Sequence, residues 1–145
     1  MSTFGSLAAQ FAAAMVATIS FGVAFQTPKR HFLAGGLTGA VGWLCYVLCL
    51  AGGLSAPMAT LVAALPLTAL ARFFSIRQRA PITLFLLCGI FPLVPGAGIY
   101  YTAYYFLQND RSLCLNRGVE TMKIAVALAL GIALVCSVPL KRGNK

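Results

Sequence analysis

Long apolar stretches, broken only by short basic clusters, leave this chain one environment in which to fold: a lipid bilayer. A spanning helix needs about 20 apolar residues. Five stretches meet or approach that length, over residues 3–25, 32–52, 58–74, 82–107 and 119–140. Charge leads to the same place. Only 9% of the 145 residues are charged, whereas a soluble domain carries roughly 25% to cover its surface. The expected fold is all-α and integral to the membrane. It is a single transmembrane domain over residues 1–145 with about five transmembrane helices, the fourth interrupted at Pro92–Gly98.

The net charge of +9 would suit nucleic acid if the cations lined one polar face. They fall instead between apolar runs, as in cytoplasmic loops of membrane proteins, so no nucleic-acid partner is expected. With five helices, one side of the membrane receives Lys29, Arg30, Arg72, Arg77, Arg79, Lys141, Arg142 and Lys145. These are eight of the eleven Lys and Arg. The other side receives Arg111, Arg117 and Lys123. The excess of cations on the cytoplasmic side then places the N-terminus outside and the C-terminus in the cytoplasm. The residues Met1-Ser2-Thr3-Phe4 carry no basic n-region, so the first apolar run is expected to stay in the mature protein.

Catalytic chemistry has few residues to draw on. One histidine and two acids, Asp110 and Glu120, provide no Ser/His/Asp grouping and no metal-spaced cluster, and no phosphate-binding loop is present. Cys45 and Cys49 share a helix face, but no His or carboxylate joins them, so neither metal nor cofactor is expected. His31, beside Lys29 and Arg30, reads as an interfacial loop residue. The chain is not expected to be an enzyme.

The most informative segment is Phe91-Pro92-Leu93-Val94-Pro95-Gly96-Ala97-Gly98-Ile99-Tyr100-Tyr101-Thr102. Two prolines three apart remove two backbone donors and disfavour helix in the residues before them. Gly96 and Gly98 add freedom that other residues lack. A continuous span over 82–107 would measure about 39 Å, which puts the break near the middle of the bilayer. Unwound backbone at that depth must be buried in protein or line a watery cavity, and discontinuous helices of this kind hold solutes in transporters. A second half-helix starting near Gly98 would present its positive end to a carboxylate. The expected solute-binding residues are Pro92, Pro95, Gly96, Gly98, Tyr101 and Thr102. The alternative is a kinked helix whose tyrosines belong to an interfacial aromatic belt, the reading favoured for Tyr104 and Tyr105.

Two further features carry expectations. Small residues crowd the first two helices: Ala8 and Ala12 in one, Gly35, Gly36, Gly39 and Gly42 in the other. They suit close helix packing, either inside a compact bundle or against a second subunit. The acids Asp110 and Glu120 are candidates for carrying a coupling proton. Their default roles are local: Asp110 capping or flanking its loop, Glu120 pairing with Lys123 at i,i+3.

The run Pro92-Leu93-Val94-Pro95-Gly96-Ala97-Gly98-Ile99-Tyr100 with Thr102-Ala103 resembles the signature of the threonine/serine exporter family. The likeness is to its C-terminal membrane half, which also exists as a separate small subunit. The resemblance implies export of small hydroxy amino acids across the cytoplasmic (inner) membrane, driven by a proton or other ion gradient. It also implies a partner, a larger membrane subunit with a soluble N-terminal region. Some split pairs of this kind export a dicarboxylate such as succinate, which is the alternative solute. An odd helix count would set two related halves in inverted orientation, a common transporter plan. From other classes, a non-transporting scaffold subunit and a small homo-oligomeric channel remain as alternatives.

Overall fold

The computed structural model describes residues 3–139. The chain folds as α1 (Thr3–Ala24), a 3-10 turn (Lys29–His31) leading into α2 (Phe32–Ala51), α3 (Ala56–Gln78), α4 (Ile82–Ile90), a 3-10 turn (Phe91–Leu93), α5 (Gly96–Leu107) and α6 (Arg111–Ser137). No strand occurs among the described residues. Four helices are long and apolar enough to cross a membrane by themselves. The fifth span is the pair α4–α5, bent by 56°. The protein is therefore an all-α membrane protein with its fourth span interrupted, as the apolar runs and prolines predict.

Four helix ends are closed by one device. Gln26, Gly53, Arg79 and Asn109 each take a positive φ, between 49° and 85°. The amide after each then reaches back five residues: Thr27 to Gly22 O, Leu54 to Cys49 O, Ala80 to Ser75 O and Asp110 to Tyr105 O, at 2.9–3.1 Å. These bonds satisfy carbonyls that a helix end otherwise strands, and they reverse the chain within a few residues.

The observed helix ends depart most from the apolar runs in α3 and α6. Helix α3 covers Ala56–Gln78 rather than 58–74, running unbroken through Pro66. Helix α6 starts at Arg111 rather than 119, because Asp110 caps it: its carboxylate accepts from Leu113 N at 3.1 Å. Hydropathy marks where a segment is apolar; caps decide where the helix ends. Helix α6 ends at Ser137, with Val138 extended, short of the expected end at Leu140; Leu140 and the cations Lys141, Arg142 and Lys145 lie outside the described residues.

Helix α2 is central, packed on α1, α3 and α4. Its glycines are consumed in these contacts. A Cβ on Gly39 would lie 2.8 Å from Thr18 Cγ2 of α1, and one on Gly36 2.9 Å from Ile19. On Gly42 it would lie 2.6 Å from Leu67 of α3. The glycine stripe of α2 thus serves internal packing, whereas Ala8 and Ala12 of α1 are exposed. Deeper in the molecule, Ala63, Ala64, Leu67, Leu93 and Leu128 form one buried cluster; Ala34, Ala71 and Phe85 form a second.

His31 lies in the turn between α1 and α2, as expected, but its side chain points inward. It is buried, 2% exposed, with Phe85 edge-on at 5.5 Å. Arg30 Nε donates to its Nε2 at 2.9 Å, and its Nδ1 meets Gln78 Oε1. Because Nε2 accepts, the proton sits on Nδ1 and is given to Gln78. This contact pins the first loop to the end of α3.

Arg72 performs a similar service across helices. Its guanidinium donates to the carbonyls of Val135 and, at 2.7 Å, Val138, capping the end of α6 from α3. Charge-assisted bonds of this kind contribute about 1.5–3 kcal/mol each. We expect Arg72→Met to lower the unfolding temperature of the detergent-solubilised protein by several degrees and to expose the end of α6 to protease. Arg72→Lys should lose less. Unchanged melting in Arg72→Met would remove this bridge from the account of stability.

Candidate functional site

The interruption of the fourth span follows from its prolines. Pro92 and Pro95 cannot donate to the carbonyls of Cys88 and Phe91, four residues back. The Phe91 carbonyl accepts Val94 N instead, at 3.2 Å, and Gly96 N turns to Val94 O at 2.7 Å. Val94 is extended (φ −64°, ψ 130°) and Pro95 sits at φ −76°, ψ 58°. Helix then resumes at Gly96, two residues before the expected start. Leu93, in the turn, belongs to the buried cluster with Ala64 and Leu128. Ala64 lies near the middle of the apolar stretch of α3 between Ala56 and Ala71. The break therefore falls midway along the bundle, where the segment's length predicts it.

Helix α5 starts without a side-chain cap. Among the described residues, the amides of Ala97 and Gly98 find no backbone acceptor, while Ile99 N bonds Pro95 O at 3.0 Å. The first turn thus keeps the free donors and positive dipole end that favour an anion.

Beyond the break, α5 packs chiefly on α6 through a reciprocal pair of contacts. A Cβ on Gly98 would run into the hydroxyl of Thr121, with Thr121 Cβ at 3.3 Å; a Cβ on Gly118 would lie 3.3 Å from Thr102 Cγ2. Each threonine turns its hydroxyl back onto its own helix, Thr102 to Gly98 O and Thr121 to Arg117 O, both at 2.7 Å. Gly118 thus meets the Thr102 methyl, whereas Gly98 lies against the Thr121 hydroxyl itself. The two glycines of the segment consequently differ in role. Gly98 is needed for packing. Gly96 is exposed, has nothing within 4 Å of where a Cβ would be, and does not adopt a positive φ.

The expected site residues are distributed rather than gathered. Pro95 and Thr102 line a groove of about 760 Å³ between α5 and α6, with Thr121, Gly118 and Cys114 on the opposite wall. Pro92 lines a different groove of about 510 Å³, beside Ala9, Ala13, Ala17 and Trp43, where Trp43 Nε1 donates to Gln10 Oε1 at 2.8 Å. Tyr101 is 47% exposed on the outer face of α5. It stacks on Tyr105 at 6.3 Å, and Tyr100 stacks on Tyr104 at the same spacing. Asp110 is engaged as the cap of α6. Glu120 lies elsewhere, at a third groove. Its ion pair is with Arg117, at 3.5 Å, and not with Lys123. Both i,i+3 partners were available in sequence, and only the rotamers chose between them.

Thr121 and Gly118 are the residues that reading the sequence missed. Their spacing, a glycine and a threonine three apart, answers the Gly98 and Thr102 pair four apart on the facing helix.

These features define a class: a multi-pass α-helical membrane protein whose discontinuous span breaks midway along the bundle, an arrangement that recurs in transporters. The chain belongs to the threonine/serine exporter family. Residues 10–138 match the family described as "Threonine/Serine exporter, ThrE". A relative named "Probable threonine/serine exporter" from Mycobacterium tuberculosis (strain ATCC 25618 / H37Rv) is 30% identical over 113 residues. The aligned region covers 77% of this chain but 21% of the relative, so the chain spans about a fifth of that protein's length. No solved structure matches the chain.

Proposed function

We propose that this chain is a subunit of a secondary transporter that exports small hydroxy amino acids, threonine and serine, across the inner membrane. Family membership and the relative's printed name support an amino-acid exporter. The observation that carries the solute site is the break at Pro92–Gly96. In this reading the free first turn of α5 takes the solute carboxylate at Gly96, where the missing side chain serves neither packing nor backbone strain. Pro92 and Pro95 hold the two limbs apart. Gly98 keeps α5 seated on Thr121, and the Thr102 hydroxyl, which can still accept a hydrogen bond, faces the solute from the groove. Tyr101 meets the solute path from the outer face of α5.

Export is driven by the proton gradient, with Asp110 and Glu120 as the carboxylates available to the coupling proton. The N-terminus lies outside and the C-terminus in the cytoplasm. In this reading the chain works with a larger membrane subunit that carries a soluble N-terminal region.

The test is threonine efflux from cells loaded with a threonine-containing dipeptide, expressing the chain with and without that larger partner. Faster efflux only with both chains, abolished in Gly96→Leu while the variant still reaches the membrane, is the expected result. A Gly96→Leu protein that exports normally would remove the break from the solute path. Succinate efflux without threonine efflux would replace the substrate.

A further inference from the structure

We propose that the groove between the start of α3 and the polar half of α6 is a second binding site, one that takes a zwitterionic amino acid. The groove measures about 690 Å³, is open at the surface, and is lined by Ser55, Pro57, Asn116, Glu120 and Lys123, with Leu115 and Val119 as its apolar wall; all but Pro57 are exposed. It lies on the face of α6 turned toward α3. The groove beside the helix break lies on the face turned toward α5, so the two do not share lining residues.

Its chemistry is unusual for this chain. The protein has two carboxylates; Asp110 is committed to a helix cap, and the other lines this cavity. Glu120 touches Arg117 through Oε2 alone, which leaves Oε1 free for an ammonium group. One turn away, Lys123 has no carboxylate within ion-pair distance among the described residues. Ser55 occupies the N-cap position of α3, but its hydroxyl caps nothing (φ −66°, ψ 153°). Pro57 follows and has no amide hydrogen to offer, while the amides of Ala56 and Met58 have no backbone acceptor among the described residues.

The groove is thus lined by both charges, Glu120 and Lys123, one helical turn apart, with the Ser55 hydroxyl at the start of α3. The ammonium group, the hydroxyl and the helix N-terminus suit a carboxylate. The unused oxygen of Glu120 suits an α-ammonium. A monovalent anion would meet repulsion from Glu120, and a simple cation repulsion from Lys123. A molecule carrying both charges a few ångströms apart meets neither.

The groove also lies at an end of the apolar stretches. Arg72 meets Val135 and Val138 at the opposite end of the same helix pair. A ligand here would sit at the membrane boundary, on the side of Arg111, Arg117 and Lys123. The zwitterion class follows from the groove itself, while the choice of threonine and serine as ligands rests on the export reading above.

The experiment is equilibrium binding of radiolabelled L-threonine to the purified chain in lipid nanodiscs, competed by L-serine, threonine methyl ester, N-acetylthreonine and succinate. The expected result is binding that L-serine competes, with both blocked analogues and succinate at least about tenfold weaker. Glu120→Gln and Lys123→Gln should each weaken threonine by about tenfold. Glu120→Gln should also shrink the handicap of N-acetylthreonine, and Lys123→Gln that of the methyl ester. Arg111→Gln removes the same charge from the exposed start of α6, outside the groove, and should change nothing. Absence of threonine binding by the wild-type chain would overturn the site. So would wild-type affinity in both charge variants. Either result leaves the efflux assay to judge the export reading, because Gly96→Leu tests the helix break at the start of α5, which does not line this groove.

Discussion

Replacing Gly39 with leucine should remove the folded protein from the membrane fraction. At this position α1 and α2 cross with no space between them, and even a Cβ would lie 2.8 Å from Thr18 Cγ2. Thr18 has nowhere to go. It is fully buried, and its hydroxyl donates to Ala14 O at 2.8 Å. A leucine could be seated only by moving α1 off the central helix. Lipid provides no hydrophobic drive to bring the helices back together, so close packing is what holds them. Overpacking a core by one or two methylenes costs about 1–3 kcal/mol, and a whole isobutyl group on a glycine crossing should exceed the stability available. The measurement is the yield of monodisperse protein by fluorescence-detected size exclusion of a tagged chain. Gly39→Ala should be milder, and Thr18→Ala in the same chain should recover part of its loss. A Gly39→Leu protein with wild-type yield would mean that α1 does not pack on α2 in this way.

Gly98→Ala should unseat α5, and Thr121→Ala should restore it. The added methyl meets the Thr121 hydroxyl and has Thr121 Cβ and Cγ2 at 3.3 Å. Because α5 packs chiefly on α6, no other helix would hold it in place. The single change should destabilise the solubilised protein by about 1–3 kcal/mol. Thr121→Ala alone removes a hydroxyl bonded within its own helix, together with a methyl group, and should cost under about 1 kcal/mol. In the double variant the two losses should fail to add, with a coupling of about 1–2 kcal/mol by thermal unfolding. Strict additivity would show that the two positions do not touch. The result also bears on transport: efflux lost in Gly98→Ala and regained in the double variant assigns Gly98 a packing role. Efflux still absent in a restored fold would bring Gly98 into the solute path beside Gly96.

Several properties were legible in the residues alone because their causes are local. Charge scarcity excludes a soluble surface whatever the fold, so the bilayer and the number of spans follow from apolar runs. Pro92 and Pro95 lack amide hydrogens wherever they are placed, so the break follows from their spacing, to within two residues of where α5 starts. Asp110 three residues before an amide it can reach is likewise a cap in almost any helical context. What a side chain touches across helices has no such local cause. Each helix advances about 100° per residue, so a neighbour's identity depends on the rotation and offset of another helix, which hydropathy does not encode. Only the tertiary structure could therefore set Gly98 against Thr121, bury His31 between Arg30 and Gln78, and turn Glu120 to Arg117 rather than Lys123. It alone divided Pro92 from Pro95 and Thr102 between separate grooves, and it alone brought Ser55, from a loop read only as a turn, beside Glu120 and Lys123.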